Sequence, residues 1–173
     1  LYADTVLARG EIAEAYGQYL RLIEQYPDTP DVRLKLADLA ITRGDWSEAV
    51  RHGREAVRLA PDMAGVQAVR IALDYRKAVA DSDPAAKEKV FEEARKLLEA
   101  APDDRLARRI VIDYQLQTDT PLSALPELDR AIVAEPDAFE LYSMKLRLLA
   151  QAEDMEGLGT LLRVMFDRFP DNE

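Results

Sequence analysis

One histidine, no cysteine and an excess of carboxylates bound the chemistry open to this chain. A metal site or a nucleophile-base pair needs several converging partners, and His52 is the lone imidazole, so it reads as a residue on a helix surface. Without cysteine there are no disulfides and no thiolate ligands. Glu11 with Glu14, or Glu92 with Glu93, have the composition of an acid-base pair. Catalytic carboxylates, however, need a cleft that drives their pKa values apart, and these spacings place them on solvated helix faces. No Gly-rich phosphate loop, HExxH sequence or comparable signature occurs. The chain reads as a non-enzyme, with no cofactor and no metal.

The feature that does recur is arginine at helical spacing. Arg105, Arg108 and Arg109 share a face by three- and four-residue steps, and Arg70 and Lys77 share one two turns apart. Thirty-three acidic against 23 basic residues give a net charge of minus 10, which repels a phosphate backbone and argues against nucleic acid as partner. Clustered guanidinium groups suit carboxylates on a partner segment, which they grip in bidentate fashion. The plainer reading is a solvated face with Arg70 beside Asp74 and Arg109 beside Asp113, each pair worth about 0.3 kcal/mol. Trp46, Tyr75 and Tyr114 read as packing residues.

The elements that position these side chains are punctuated by proline. A Pro-Asp pair begins at Pro27, Pro61, Pro102, Pro136 and Pro170, at intervals of 34, 41, 34 and 34 residues. Twelve residues before each proline stand Ala15, Ala49, Val90, Ala124 and Leu158. Eight before are Tyr19, Gly53, Ala94, Leu128 and Leu162, and five before are Leu22, Ala56, Leu97, Ala131 and Met165. The outer columns lie two helical turns apart, so they mark the buried face of a helix ending just before each proline. Proline stops that helix, and Asp62, Asp103 and Asp137, with Asp28 or Thr29 ahead of Pro30, are placed to cap the next. A second break divides each unit: Gly10, Arg43-Gly44-Asp45, Asp83-Pro84, Thr120-Pro121 and Asp154-Met155-Glu156 combine stop and cap signals. Pro126 should kink its helix or delay its start. No segment alternates with a two-residue period, so no strand is expected.

A 34-residue helical hairpin ending in proline resembles the tetratricopeptide repeat. The second unit carries the likeness best: Leu36 and Ala37 match the large-small pair of the first helix, Gly44 the turn, Ala49 and Ala56 the small contacts of the second helix, and Pro61 the terminal proline. Ile71, Ala72 and Tyr75 fit the third unit with one residue inserted before them, and six more extra residues fall near Ala80 to Lys87. Lys145 and Leu146 depart from the large-small pair in the last unit. The resemblance implies an all-α solenoid of about five hairpins, spanning residues 1–27 (truncated), 28–61, 62–102 (with a seven-residue insertion), 103–136 and 137–170, as one domain over 1–173.

The family's first helices line a concave groove that accepts a peptide or a helix. On this chain the resemblance places there Lys35, Asp38 and Thr42; Arg70, Leu73, Arg76 and Lys77; Arg105, Arg108 and Arg109; and Arg147. The asparagines of the family's clamp for terminal carboxylates are missing, so that specificity is not implied. The expected function is a module or scaffold binding a protein segment, with an acidic segment as the candidate that the arginines suit. The alternatives are an array that self-associates through open repeat ends and, less favoured, an RNA-binding helical repeat. Both ends read as cut, with Pro170-Asp171-Asn172-Glu173 standing where a further unit would begin. No stretch approaches the roughly 18 apolar residues of a membrane span.

Overall fold

The computed structural model describes residues 2–118 and 120–170; the repeat continuation expected at Asp171 to Glu173 lies outside them. The described residues form ten α-helices: α1 (Tyr2–Ala8), α2 (Ile12–Gln25), α3 (Pro30–Thr42), α4 (Trp46–Leu59), α5 (Ala64–Ala80), α6 (Pro84–Ala100), α7 (Arg105–Leu116), α8 (Leu125–Ala134), α9 (Phe139–Gln151) and α10 (Met155–Arg168). No strand occurs among them. The architecture is an all-α solenoid of helical hairpins, and two compact units divide it, Leu1–Ala86 and Lys87–Glu173.

In the first unit α1 packs on α2, α2 on α3, α3 on α4, and α4 on α5. Ala15, Tyr19, Leu36, Ala40 and Ala49 are buried in one cluster, with Trp46 and Leu73 against its edge. The expected packing of Trp46 within its hairpin is therefore present. Gly53 lets α4 approach α5, since a Cβ there would lie 2.7 Å from Leu73 Cδ1 and 3.0 Å from Val69 Cγ1. In the second unit α7 packs on a short 3-10 turn (Pro121–Ala124) and on α8, α8 on α9, and α9 on α10. Ala124, Leu128, Ala131 and Leu141 form its main cluster. Tyr142, Leu149 and Leu161 form a second one.

The column residues are buried or half-buried, and Leu162 alone among them is exposed. It is exposed because, among the described residues, no helix follows α10 to cover that face. The seven-residue insertion is not a loop. Compared with α3 (13 residues) and α4 (14 residues), α5 and α6 each run to 17 residues, so the insertion is absorbed as roughly one extra turn on each. Pro126 sits in the first turn of α8, after the 3-10 turn, and so delays the start of the α-helix instead of kinking it.

Four of the turns inside the hairpins share one geometry. Gly10, Gly44, Ser82 and Glu153 all have positive φ, at 80°, 73°, 52° and 56°. The amide of the following residue then bonds to a carbonyl five residues back, as in Asp45 to Ala40 (2.9 Å), Asp83 to Ala78 (2.9 Å) and Asp154 to Leu149 (3.0 Å). This closes each helix with a Schellman motif. The next helix is capped by the aspartate that follows: Asp45 accepts from the Glu48 amide, Asp83 from that of Ala86, and Asp154 from that of Gly157.

The turns between hairpins differ from expectation. Asp62 and Asp137 do not act as side-chain caps, because the cap positions fall one residue later, at Met63 and Ala138. In the fourth unit Asp104, not Asp103, caps α7 by accepting from Ala107. Thr29 occupies the cap of α3 but gives its hydroxyl proton to the Tyr26 carbonyl. The turn is held instead by a side chain reaching back to the proline carbonyl. Arg33 donates to Pro27 O (3.2 Å), Gln67 to Pro61 O (2.7 Å), Arg108 to Pro102 O, and Tyr142 to Pro136 O (2.9 Å), each from six residues downstream. A carbonyl that would otherwise be left open at the end of each unit is thus satisfied by a repeated donor position.

Candidate functional site

On the α5 face, Arg70, Leu73, Arg76 and Lys77 fall together by helical spacing. With Val50, Arg54 and Val57 of α4 they line a cavity of about 370 Å³ in the first unit. Four cations line it beside a single carboxylate, Asp74, which bonds Arg70 Nη1 at 2.8 Å. Arg70 Nε also donates to Gln67 Oε1 at 3.1 Å. The guanidinium of Arg76 lies 5.0 Å from the Trp46 ring centroid, a cation-π contact that fixes its direction.

Lys35, Asp38 and Thr42 lie on α3, outside this cavity. The Lys35 ammonium binds the Asp4 carboxylate and sits 5.4 Å from the Tyr19 ring centroid, while the Tyr19 hydroxyl donates to the same Asp4 oxygen at 2.7 Å. The Lys35 contact, helped by Tyr19, holds the Asp4 carboxyl well below the usual carboxylate range. Asp4 in turn raises the Lys35 ammonium. Thr42 Oγ1 donates to the Asp38 carbonyl one turn back at 3.0 Å.

In the second unit the three neighbouring arginines separate. Arg105 and Arg109 are exposed and meet Glu135 at 3.7 Å and Glu140 at 3.1 Å, and Arg147 is exposed on α9. Asp113, expected beside Arg109, accepts from Gln117 Nε2 at 2.8 Å. Arg108 is only 5% exposed, since a three-residue step turns it away from the exposed strip and toward α8. Its guanidinium reaches the Pro102 carbonyl, and Nε stands 3.5 Å from Glu127 Oε2.

His52, expected on the surface, is fully buried. Polar neighbours make that possible: Nδ1 accepts from Arg33 Nη1 at 3.3 Å, and Nε2 lies 3.4 Å from Glu48 Oε2 and 3.2 Å from Arg51 Nη2. Both ring nitrogens thus face a guanidinium, and Nε2 faces the Glu48 carboxylate as well. Burial first, then Arg51 and Arg33, depress the imidazole below its ordinary value, so it is neutral. The signal for its burial is positional. His52 stands nine residues before Pro61 and Arg33 six after Pro27; the same offsets give Glu127 with Arg108, and Leu161 with Tyr142. These three hairpins each pack one such pair between their helices.

Unit two also holds an open cleft of about 1220 Å³ between α6, α7 and α8. No sequence column points to it, because it lies between helices of successive hairpins. Phe91 of α6 stacks on Tyr114 of α7 near one end, with centroids 4.3 Å apart. Tyr114 is accordingly only partly buried, whereas Tyr75 is a core residue as expected.

Comparison with known proteins fits this geometry. The sequence profile of the tetratricopeptide repeat matches residues 3–64. No curated protein sequence matches the chain. Among solved structures it is similar to TTC0263, a thermophilic tetratricopeptide repeat protein of Thermus thermophilus, with TM-score 0.67 and 16% identity over 99% of this chain and 90% of that one. YrrB, described as a tetratricopeptide repeat protein with an unusual peptide-binding site, aligns with TM-score 0.52 and 14% identity over 99% and 84%. MamA from Desulfovibrio magneticus RS-1 aligns with TM-score 0.54 and 14% identity over 99% and 94%. The tetratricopeptide repeat is thus matched over residues 3–64, and the chain as a whole shares the helical-repeat fold of these solved proteins.

Proposed function

We propose that this protein is an interaction module that holds a partner polypeptide on the faces of its first helices, with an acidic segment as the preferred ligand. The observation that carries the reading is the α4–α5 cavity, where Arg54, Arg70, Arg76 and Lys77 surround the apolar Leu73 and outnumber its single lining carboxylate, Asp74. An acidic side chain entering it gains charge-assisted hydrogen bonds, and an aliphatic neighbour gains the Leu73 surface. The general role follows the fold, and a solved relative, YrrB, is itself described as peptide-binding. Arg105, Arg109 and Arg147 extend the same chemistry in the second unit, although Glu135 and Glu140 already compensate two of them. The test is fluorescence anisotropy with labelled peptides of mixed Glu and Leu, comparing the native chain with Arg70→Glu/Arg76→Glu/Lys77→Glu. At least a roughly tenfold loss of affinity, steepest at low salt, is expected. Unchanged binding contradicts the reading.

A second reading, self-association, is favoured by one observation. On α10, Met155, Leu162, Val164 and Phe166 are exposed, Phe166 at 83%, a concentration of apolar surface that marks contact sites. Sedimentation of the native chain against Leu162→Glu/Phe166→Glu tests it. A concentration-dependent dimer that the substitutions dissolve supports the reading, and a monomer in both cases ends it.

A further inference from the structure

We infer that the exposed face of α10 is a dimer contact in which α10 packs antiparallel on the α10 of a second copy, across a two-fold axis that passes between Thr160 and Leu161. This deepens the self-association reading given above and rests on it, since it names the partner element and its register.

Met155, Gly159, Leu162 and Phe166 follow one another at four-, three- and four-residue steps, so they form one stripe along α10. Met155 is 75% exposed, Leu162 50% and Phe166 83%. The stripe at the same distances before Pro61 is Trp46, Val50, Gly53 and Val57 of α4. That one is covered, because α5 packs on α4 and its Val69 and Leu73 close over Gly53. The repeat thus makes this face a helix-packing surface, and among the described residues no helix follows α10 to cover it.

The stripe is complementary to itself read backwards. A two-fold axis across an antiparallel pair matches residues whose numbers have a constant sum, and every contact then occurs twice. One register sets Met155 against Phe166 of the second copy and, at the same time, Gly159 against Leu162 of the second copy. The leucine enters the recess that glycine leaves, and the thioether meets the aromatic ring, a favourable contact. Glycine weakens a helix interior, and a Cβ on Gly159 would meet nothing within 4 Å, so nothing in its own hairpin calls for glycine there. The close approach of a second helix gives it a use.

Charge selects a second copy over an unrelated apolar helix. Glu156 and Arg163 lie two turns apart on one flank of the stripe, both exposed and, among the described residues, in no ion pair with another side chain. A two-fold axis brings like flank to like flank, so Glu156 of each copy stands beside Arg163 of the other, about 3 Å apart along the helix direction. Asp167 shares that flank but stands about 40° further from the stripe. Head-to-tail stacking finds no match on α1, where Tyr2 is the only exposed large apolar side chain among the described residues. One face of a 14-residue helix, about 21 Å long, makes a small interface and hence a weak, reversible dimer.

Charge reversal tests the pairing. In sedimentation equilibrium, Glu156→Arg and Arg163→Glu should each weaken the native dimer by about fivefold, and an equal mixture of the two should regain at least the native affinity, because both unlike pairs are then restored between the two variants. Single cysteines test the register, since the chain has none of its own. Met155→Cys mixed with Phe166→Cys under mild oxidation should form a disulfide at least tenfold faster than either variant alone, for like positions lie about 16 Å apart along the helix direction. A native chain that stays monomeric at every concentration overturns the self-association reading and this inference together. A dimer that Leu162→Glu/Phe166→Glu dissolves, but whose charge-reversed variants do not recover on mixing, overturns this inference alone and gives the stripe a different occupant. Met155→Cys cross-linking by itself as fast as in the mixture would mean a parallel pair, and overturns the register equally.

Discussion

The hairpin α3–α4 and the hairpin α7–α8 each carry an arginine six residues after one proline and a polar group nine residues before the next, and they resolve that pair differently. In the first, Arg33 uses Nε on the Pro27 carbonyl and a terminal nitrogen on His52, whose ring is neutral and enclosed. In the second, Arg108 uses a terminal nitrogen on the Pro102 carbonyl, so its Nε is left facing Glu127 at 3.5 Å beside an open cleft. One fold position thus carries either a guanidinium–imidazole pair or an ion pair. The difference lies in which nitrogen the proline carbonyl takes and in the group that stands opposite the arginine.

The largest effect that separates the two hairpins should come from splitting the charged pair. Glu127→Leu alone strands the Arg108 guanidinium and should destabilise the second unit by about 3 kcal/mol, whereas Arg108→Tyr/Glu127→Leu should cost about 1 kcal/mol or less. Urea denaturation of both variants checks this, and equal losses would mean the pair is not a buried unit. The His52 hairpin should instead respond to pH. Its imidazole is depressed in the folded chain and ordinary in the unfolded one, so the unfolded state binds more protons between the two values. The resulting stability is complete above about 6.5, the ordinary imidazole value, and falls as pH drops below it. His52→Gln should flatten the denaturation midpoint between about pH 5 and 7, well above the range where the carboxylates titrate.

Smaller effects test the turns common to both regions. Asp45→Ala removes the cap on the Glu48 amide and should cost about 1 kcal/mol, read from the same urea curves. Glu153→Gly relieves a side chain at φ 56° and should gain about 0.5 kcal/mol, visible as a higher thermal midpoint. A loss at Glu153→Gly would show that the charged side chain contributes more than the backbone conformation costs.

The hairpins were legible in the sequence because proline and the small-residue columns act locally and repeat. The insertion was legible in length but not in form, since nothing in residues 80–87 distinguishes an extra helical turn from a loop. Cap positions slipped by one residue at Asp62, Asp103 and Asp137 because the turn is held by a side chain six residues on, a long-range bond invisible to local capping rules. His52 was misread for a related reason: a polar residue alone suggests exposure, and its enclosure depends on Arg33 and Glu48, 19 and 4 residues away. Of the first-helix residues, Arg70, Leu73, Arg76 and Lys77 converge on one cavity, whereas Arg108 faces inward, a distinction that helical spacing alone draws only once the neighbouring helix is in place.

Arginine Nε–H signals report the contrast between the two hairpins directly. In nitrogen-15 correlation spectra, the Arg108 Nε–H, enclosed beside Glu127, should be protected from exchange and lose that protection in Glu127→Gln, while the Arg33 Nε–H, on the Pro27 carbonyl nearer the surface, should exchange faster and stay unchanged. An Arg108 Nε–H that exchanges as fast as that of Arg33, or one indifferent to Glu127→Gln, would contradict the account.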